Sequence, residues 1–544
     1  MSTPSTPLLA DLLRTVAADE PDREAYVHED RRATYGWLDR VADGVAATLL
    51  DHGVGRGDRV CLMLPSSIKF AACYFGAARV GAITSAVNLR LGPVEQAGIV
   101  ARTEPSVTVV GDGAIVPAGV DPGIVVPVAD LKDAFGAAPP PTLPALDPAD
   151  PVCIIWTSGT TGVPKGAIYT HESMAAITRN VVDMAALHDR VLFTLPFPHL
   201  GYMGWISTFT AHRVTLVLGP QPWSAPESLR VMAAEQITMM NGVPTQWSLV
   251  LDRADVDGTD FSGLRIAAMG AAAAPPDLIR RLRETLGCPV LNGYSATEAG
   301  VISGTVIGDA DEVVAGTVGR PREEVDLRIV GPDGADVPGG EVGEVICRSP
   351  AMMRGYWRDP DLTSTVVDAD GYLHTGDLGR LRPDGNLVLA GRLKEMYIRG
   401  GYNVYPTEVE AVLTDHPAIA RAAVIGAPDP VLGEIGVAFV VADGGGDAVG
   451  DAIGYVIVPD RDALRAWCAE RIADYKAPDR VVVVEELPVT AVGKLDKNAL
   501  AARWAEQHAA PATSPPDPAL PADPALPADP VETAESADPA GDDR

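Results

Sequence analysis

Trp156-Thr157-Ser158-Gly159-Thr160-Thr161-Gly162-Val163-Pro164-Lys165-Gly166 is the stretch that decides how the rest of the chain is read. It follows Val152-Cys153-Ile154-Ile155, an apolar run of strand length. Glycines at 159, 162 and 166 free the backbone to turn and let its N–H groups come close to a ligand. Thr157, Ser158, Thr160 and Thr161 add hydroxyl donors, and Lys165 adds a cation. A polyanion such as a nucleotide triphosphate suits that set. An ordinary surface loop is the plainer alternative, since Gly, Ser and Thr also build turns. Lys165 follows Gly162 by three residues, which is not the Gly-x4-Gly-Lys-[Ser/Thr] spacing of a P-loop, so that fold is not implied.

Working outward, 544 residues are too many for a single core and suggest several units. A hydrophobic fraction of 47% and a charged fraction of 21% describe a chain able to bury a large interior. No apolar run reaches the length of a transmembrane helix, and Met1-Ser2-Thr3-Pro4-Ser5-Thr6-Pro7 lacks the regions of a signal peptide. Membrane insertion is therefore not expected. Cysteines 61, 73, 153, 288, 347 and 468 have no zinc-type spacing and read as small buried hydrophobes in a reducing compartment, the cytoplasm. A net charge of −30 argues against a nucleic-acid partner. A body this acidic must concentrate its cations wherever it binds an anion, which draws attention to Lys165, Arg392 and Lys494.

Strand-like and helix-like runs alternate to about residue 300, beginning with helical pattern over 9–50 around a short strand near Ala25-Tyr26-Val27. Asp58–Leu64 and Gly81–Val87 are further strand candidates. The alternation predicts α/β layers with largely parallel sheet. From about 313 to 392, short β segments separated by Gly-Pro-Asp-Gly, Pro-Gly-Gly and Pro-Asp-Gly turns predict an antiparallel or barrel-like part. Mixed α and β pattern then returns, with helices expected over 408–415 and 461–473 and strands over 421–426 and 435–442. The expected division is a large domain, 1–393, a small one, 394–505, and a tail, 506–544. Ala519-Leu520-Pro521-Ala522-Asp523-Pro524 recurs as 525–530 in that tail, whose Pro, Ala and acidic content predicts disorder.

Further clusters lie downstream. Asn292-Gly293-Tyr294-Ser295-Ala296-Thr297-Glu298 follows Pro289-Val290-Leu291, with an aromatic face for a flat base, a hydroxyl for a phosphate and a carboxylate for a divalent metal. Magnesium favours one or two carboxylates plus phosphate oxygens. Gly270-Ala271-Ala272-Ala273-Ala274-Pro275 is a small-residue loop, and His374-Thr375-Gly376-Asp377 offers a carboxylate that could grip a diol. Gly391-Arg392-Leu393-Lys394, Tyr397-Ile398-Arg399-Gly400-Gly401-Tyr402-Asn403-Val404-Tyr405-Pro406-Thr407-Glu408 and Pro488-Val489-Thr490-Ala491-Val492-Gly493-Lys494 complete the set.

Taken in order over about 150–500, these segments resemble the adenylate-forming superfamily of acyl-CoA synthetases, luciferases and peptide-synthetase adenylation domains. The resemblance implies an α/β fold: a large N-terminal domain of two layered sheets plus a β-barrel-like subdomain, and a small mobile α+β C-terminal domain. It implies that Thr157, Ser158, Gly159, Thr160, Thr161, Gly162 and Lys165 hold the phosphates of ATP. Gly270, Ala271 and Ala272 would lie on one face of adenine and Gly293, Tyr294 and Ser295 on the other. Thr297 would touch phosphate, Glu298 with Thr161 would bind Mg²⁺, Asp377 would grip the ribose hydroxyls, and Arg392 would make the second ribose or phosphate contact. Lys394 would be a hinge, Gly400 and Gly401 would line the pantetheine path of CoA, and Lys494 would be catalytic beside Thr161 and Glu298. His199, Gly204 and Ala271 would lie at the acyl pocket, with Met203, Trp205 and Trp247 making its walls apolar.

The implied reaction joins a carboxylic acid to CoA through an acyl-adenylate, releasing AMP and pyrophosphate. Negative charge builds on the α-phosphate and the leaving pyrophosphate, where fixed cations act most strongly. A medium- or long-chain fatty acid or another bulky apolar acid is the expected substrate. Delivery of an acyl or amino acid to a carrier-protein thiol is the first alternative, and an aryl acid–CoA ligase the second. His199-Leu200-Gly201-Tyr202-Met203-Gly204-Trp205-Ile206-Ser207 contains no carboxylate to pair an amino-acid ammonium. A homo-oligomer is left open.

Overall fold

The strand expected before the phosphate segment is Pro151–Ser158, and the chain returns antiparallel to it as Pro164–Thr170, with Thr157 opposite Lys165 and Trp156 opposite Gly166. The computed structural model describes residues 8–131, 142–158, 163–181, 184–253, 256–270, 276–442, 461–490 and 494–508. Met1–Ala501 form one compact unit; of the second, Ala502–Arg544, the residues up to His508 are described. The tail expected to be disordered therefore lies almost wholly outside the described residues.

Pro151–Ser158 belongs to a six-stranded sheet in which only Pro164–Thr170 runs antiparallel to its neighbour. The order across it is Ile124–Pro127, Val107–Val110, Arg59–Met63, Ile83–Ala86, Pro151–Ser158 and Pro164–Thr170. A second, nine-stranded sheet has a parallel centre, from Val290–Ala296 through Ile266–Met269, Met239–Gly242, Arg190–Phe193 and Thr215–Leu218 to Glu24–His28. Its edges are antiparallel. The helix Ile68–Arg79 is buried on every side, and its Arg79 is paired with Asp39 and Asp43. A helix apolar all round belongs inside a large protein, and a charge carried there has to be paired. Asp326–Val330, Gly343–Arg348, Leu373–Leu381 and Leu387–Arg392 make a four-stranded antiparallel sheet, as the turn-rich texture predicted. A mixed sheet drawn wholly from 397–483 follows, with helices Pro406–Thr414 and Arg461–Ala469 near the expected positions.

All six cysteines are unpaired and buried, and burial pushes the thiols of Cys61, Cys73 and Cys153 up to about 12. They are inert packing groups. Among the described residues no helix is long and apolar enough to cross a membrane.

The N-terminal helix Leu9–Asp19 is tied down by a histidine. Leu9 donates its amide to Nδ1 of His171, 3.1 Å away, and His171 is 3% exposed. Burial drives its pKa down to about 4, with Asp150 and Asp11 acting the other way. The folded value lies below the ordinary 6.5, so the contribution of the neutral ring is complete above pH 6.5 and lost as pH falls towards 4. Amide exchange in Leu9–Asp19, corrected for intrinsic rate, is expected to quicken roughly tenfold between pH 7 and pH 5. His171→Asn, which cannot titrate, should abolish that dependence; an unchanged pH response would detach the effect from this ring.

Candidate active site

Two neighbouring strands of the four-stranded sheet place a carboxylate beside a guanidinium. Asp377 on Leu373–Leu381 is in register with Arg392 on Leu387–Arg392, and Arg392 Nε donates to Asp377 Oδ1 at 3.1 Å. The other oxygen, Oδ2, accepts the phenol of Tyr294 at 2.5 Å. Gly376, at φ +71°, turns the chain just before Asp377, in a region that L side chains rarely adopt. The Thr375 hydroxyl accepts the Asp377 amide at 3.0 Å and itself donates to the Val345 carbonyl at 2.7 Å. Asp377 is buried, its backbone and both oxygens are fixed, and each oxygen retains a lone pair for a diol.

Tyr294 lies within a strand. The strand Val290–Ala296 runs through it, because Gly293, Tyr294, Ser295 and Ala296 pair with Gly300–Gly304 beyond the point where the apolar run ends. Its phenol is pushed well above the ordinary value by burial and by the Asp377 charge, so it stays a donor. Gly270 lies against the same strand: a Cβ there would stand 3.5 Å from the Gly293 carbonyl. The two segments expected to flank a base are therefore adjacent, although Ala271 and Ala272 lie outside the described residues.

Tyr294→Phe removes the hydroxyl and keeps the ring. A hydrogen bond to a carboxylate contributes about 1.5–3 kcal/mol, so roughly a tenfold rise in KM for ATP is expected. The penalty for replacing ATP by its 2′-deoxy form should shrink in the same variant. An unaltered preference between the two nucleotides would separate Tyr294 from the ribose contact expected of Asp377.

Glu298 follows the strand and is held at two points. Its carbonyl accepts the Met353 amide at 2.9 Å, and its Oε1 accepts the Tyr356 phenol at 2.8 Å. The Thr297 carbonyl accepts the phenol of Tyr169, on the same strand as Lys165, at 2.8 Å. Lys165 Nζ lies 5.8 Å from the centre of the Tyr356 ring. Gly159, Thr160, Thr161 and Gly162 lie outside the described residues, as does the Ser158 side chain; the two strands that hold their ends do not. Gly166 has a different reason from the one expected. It pairs within the ladder, and a Cβ there would meet Ile154 at 2.5 Å, so strand packing excludes a side chain.

Lys494 comes from the other end of the chain. The Thr490 amide donates to its carbonyl at 2.6 Å, and its own amide donates to the Thr490 hydroxyl at 3.2 Å. Burial, then the Arg392 charge, lowers its pKa, while Asp377 and Glu298 act oppositely. His199 is pushed down to about 4 by burial and by the Lys494 charge. The charges of Arg392, Asp377 and Glu298 thus reach Lys494, and the charge of Lys494 reaches His199. His199 Nδ1 accepts the Gly201 amide at 3.1 Å, which puts the proton of the neutral ring on Nε2. Three residues beyond Lys494, Lys497 reaches Glu395 and Glu410, each at 2.8 Å, fixing this segment to the chain just past Lys394.

Other expected residues fall elsewhere. Lys394 is exposed in the turn between Leu387–Arg392 and Tyr397–Arg399. Gly400 and Gly401, at φ +57° and +90°, form the exposed tip of the hairpin Tyr397–Val404, where Gly400 donates to the Leu432 carbonyl at 2.8 Å. The space beside Gly204 is taken by Leu200 and Ile177 rather than left open. Trp247 is fully buried with its indole N–H on the Ala268 carbonyl at 3.0 Å, and Met203 and Trp205 pack in the core. The sequence reading missed Tyr356 and Tyr169, which lie far along the chain from the groups they hold.

The AMP-binding enzyme family matches residues 13–357, and the AMP-binding enzyme C-terminal domain matches 408–494. A feruloyl-CoA synthase from Amycolatopsis sp is 34% identical over 493 residues, covering 89% of this chain and 96% of that protein. A long-chain-fatty-acid–CoA ligase from Mycobacterium tuberculosis is 32% identical over 522 residues, covering 90% and 97%. The o-succinylbenzoate CoA synthetase of Bacillus subtilis, solved with its acyl-adenylate intermediate, superposes with a TM-score of 0.78 at 26% identity over 90% of this chain and 97% of that one.

Proposed function

The chain belongs to the AMP-binding enzyme family of the adenylate-forming superfamily and is an AMP-forming acid–CoA ligase; from that premise we propose that Lys494, carried on a small C-terminal lobe, drives the activation of a bulky apolar or aromatic acid. The supporting observation is the position of Lys494, near enough to Asp377, Glu298, Arg392 and His199 to exchange charge effects with them.

A carboxylate is a poor acyl donor, so the acid first attacks the α-phosphate of ATP and expels pyrophosphate. Asp377, oriented by Tyr294 and Arg392, would take the ribose hydroxyls and fix the nucleotide. Lys494 would meet the negative charge that gathers on the α-phosphate, and Lys165 with the loop ahead of it would meet the leaving pyrophosphate. Neutral His199 would offer its Nε2–H near the carboxylate of the acid. A thiol then attacks the mixed anhydride and AMP leaves.

Magnesium belongs to the proposal. Among the described residues no group of three or more His, Cys, Asp and Glu is arranged to hold a metal. Glu298 alone suffices for a cation that completes its shell with water and substrate phosphates. Glu298, with Thr161, would hold it, and its charge would neutralise the phosphates.

The two steps need different surfaces at one acyl carbon. We set the lobe break at Leu393–Lys394, so that Gly400 and Gly401 would be presented for the thiol step after the small lobe turns. Six unpaired buried thiols support a reducing, cytoplasmic setting. A panel of medium-chain, long-chain, aromatic and polycyclic acids, assayed for AMP release with and without CoA, identifies the substrate. Acid-dependent AMP release that needs CoA for turnover is expected. Turnover on a carrier-protein thiol alone would transfer the acceptor assignment.

A further inference from the structure

One tyrosine far from every glycine-rich segment touches both halves of the phosphate machinery. Tyr356 donates its phenol to Glu298 Oε1 at 2.8 Å, and the face of its ring lies 5.8 Å from Lys165 Nζ. Its backbone is clamped on both sides. Arg354 donates to the Ile168 carbonyl at 2.8 Å, Ile168 to the Gly355 carbonyl at 3.0 Å, and Trp357 to the Gly166 carbonyl at 2.7 Å. These bonds lay residues 354–357 against the strand Pro164–Thr170 that leaves the phosphate segment. The Thr363 hydroxyl accepts the Tyr356 amide at 2.9 Å, and Met353 holds the Glu298 carbonyl. A side chain whose backbone is this constrained and which is only 6% exposed has little freedom to aim elsewhere.

The consequence for Glu298 is directional. With Oε1 engaged by the phenol, the carboxylate is kept from rotating, and Oε2 has no protein donor among the described residues. A carboxylate that ligates a metal gains affinity when a neighbour fixes its orientation. The same ring attracts the Lys165 ammonium through its face, so the cation that would meet the leaving group is held relative to the carboxylate that would hold the metal.

The geometry points to Tyr356 as the positioning residue of the metal–phosphate site, setting the Glu298 carboxylate for Mg²⁺ and registering Lys165 to it. This rests on the assignment of Glu298 to the metal made above. Tyr356 touches neither the acid nor the reacting atoms in this scheme and acts through Glu298 and Lys165.

Thermal unfolding with ATP present, first in EDTA and then across a Mg²⁺ titration, separates the possibilities. Wild type should gain stability from ATP in EDTA and a further increment as Mg²⁺ is added. In Tyr356→Phe the ATP increment in EDTA, taken from that variant's own ligand-free unfolding temperature, should be unchanged, while the Mg²⁺ needed for half the further increment rises roughly tenfold. Turnover should show the same shift in Mg²⁺ dependence and recover to within about twofold at saturating metal. Glu298→Gln should flatten the Mg²⁺ response, and Glu298→Gln/Tyr356→Phe should be no worse than Glu298→Gln alone. A Tyr356→Phe curve that overlays wild type, or a double variant whose losses simply add, overturns the role given to Tyr356. If wild type shows no Mg²⁺-dependent increment while binding ATP, the metal assignment of Glu298 fails and Tyr356 falls with it.

Discussion

Lys494→Ala is expected to slow acyl-adenylate formation by roughly 10²–10³-fold, the range found when one fixed group facing developing charge is removed. Burial and then the Arg392 charge lower the pKa of the ammonium, while Asp377 and Glu298 act oppositely; in the proposed reaction this cation would meet the charge that builds on the α-phosphate. The loss should appear in kcat, because the interaction is strongest in the transition state. KM for ATP should change little, since Asp377, held by Tyr294 and Arg392, would grip the nucleotide without Lys494. Lys494→Arg keeps a cation but changes its shape and reach, so only partial recovery is expected. Thioester formation from a supplied acyl-adenylate should be spared. Wild-type adenylation in Lys494→Ala would remove the residue from the chemistry altogether.

Lys394→Pro carries the second large effect and acts on the other half of the reaction. Lys394 lies in an exposed turn, between Leu393, whose amide donates to the Gly376 carbonyl, and Glu395, whose amide donates to the Arg392 carbonyl. Proline there fixes φ near −65° and restricts Leu393 as well. If the small lobe must turn about this point, the lock leaves Lys494 where it is and denies Gly400 and Gly401 access to the acyl carbon. Acyl-adenylate should form within about threefold of wild type and accumulate, while thioester appears roughly 10²-fold more slowly, as for misplaced reacting groups. Pre-steady-state quenching, with adenylate and thioester measured separately, reads both. Equal slowing of the two steps would argue for local damage rather than a locked hinge.

Much of this site could be read in the chain, and what escaped did so for physical reasons. The strand ahead of the glycine- and hydroxyl-rich segment was legible because Val152–Ile155 is an apolar run of strand length, and Pro151–Ser158 with its antiparallel return forms there. The antiparallel part before 392 was legible from its turns. Gly166 was assigned to ligand approach, whereas the Ile154 side chain occupies the space a Cβ would need; cross-strand packing leaves no mark in a local motif. Gly204 misled in the same way, since Leu200 and Ile177 fill the room its missing side chain creates. The apolar run ends at Leu291, yet pairing with Gly300–Gly304 carries the strand on through Tyr294. Tyr356 escaped because its partners, Glu298 and Lys165, are distant in sequence, and an aromatic after Gly355 gives no sign of what its hydroxyl will meet. Strand pairing between residues 354–357 and 166–168, visible only in three dimensions, puts it there.

Exchange of labelled pyrophosphate into ATP, measured with and without the acid in wild type and Lys494→Ala, tests the central claim most directly. Wild type is expected to exchange label only when the acid is present, through reversible acyl-adenylate formation. Lys494→Ala should exchange at least 10²-fold more slowly yet still consume supplied acyl-adenylate and thiol at the wild-type rate. Exchange in Lys494→Ala as fast as in wild type would contradict the account.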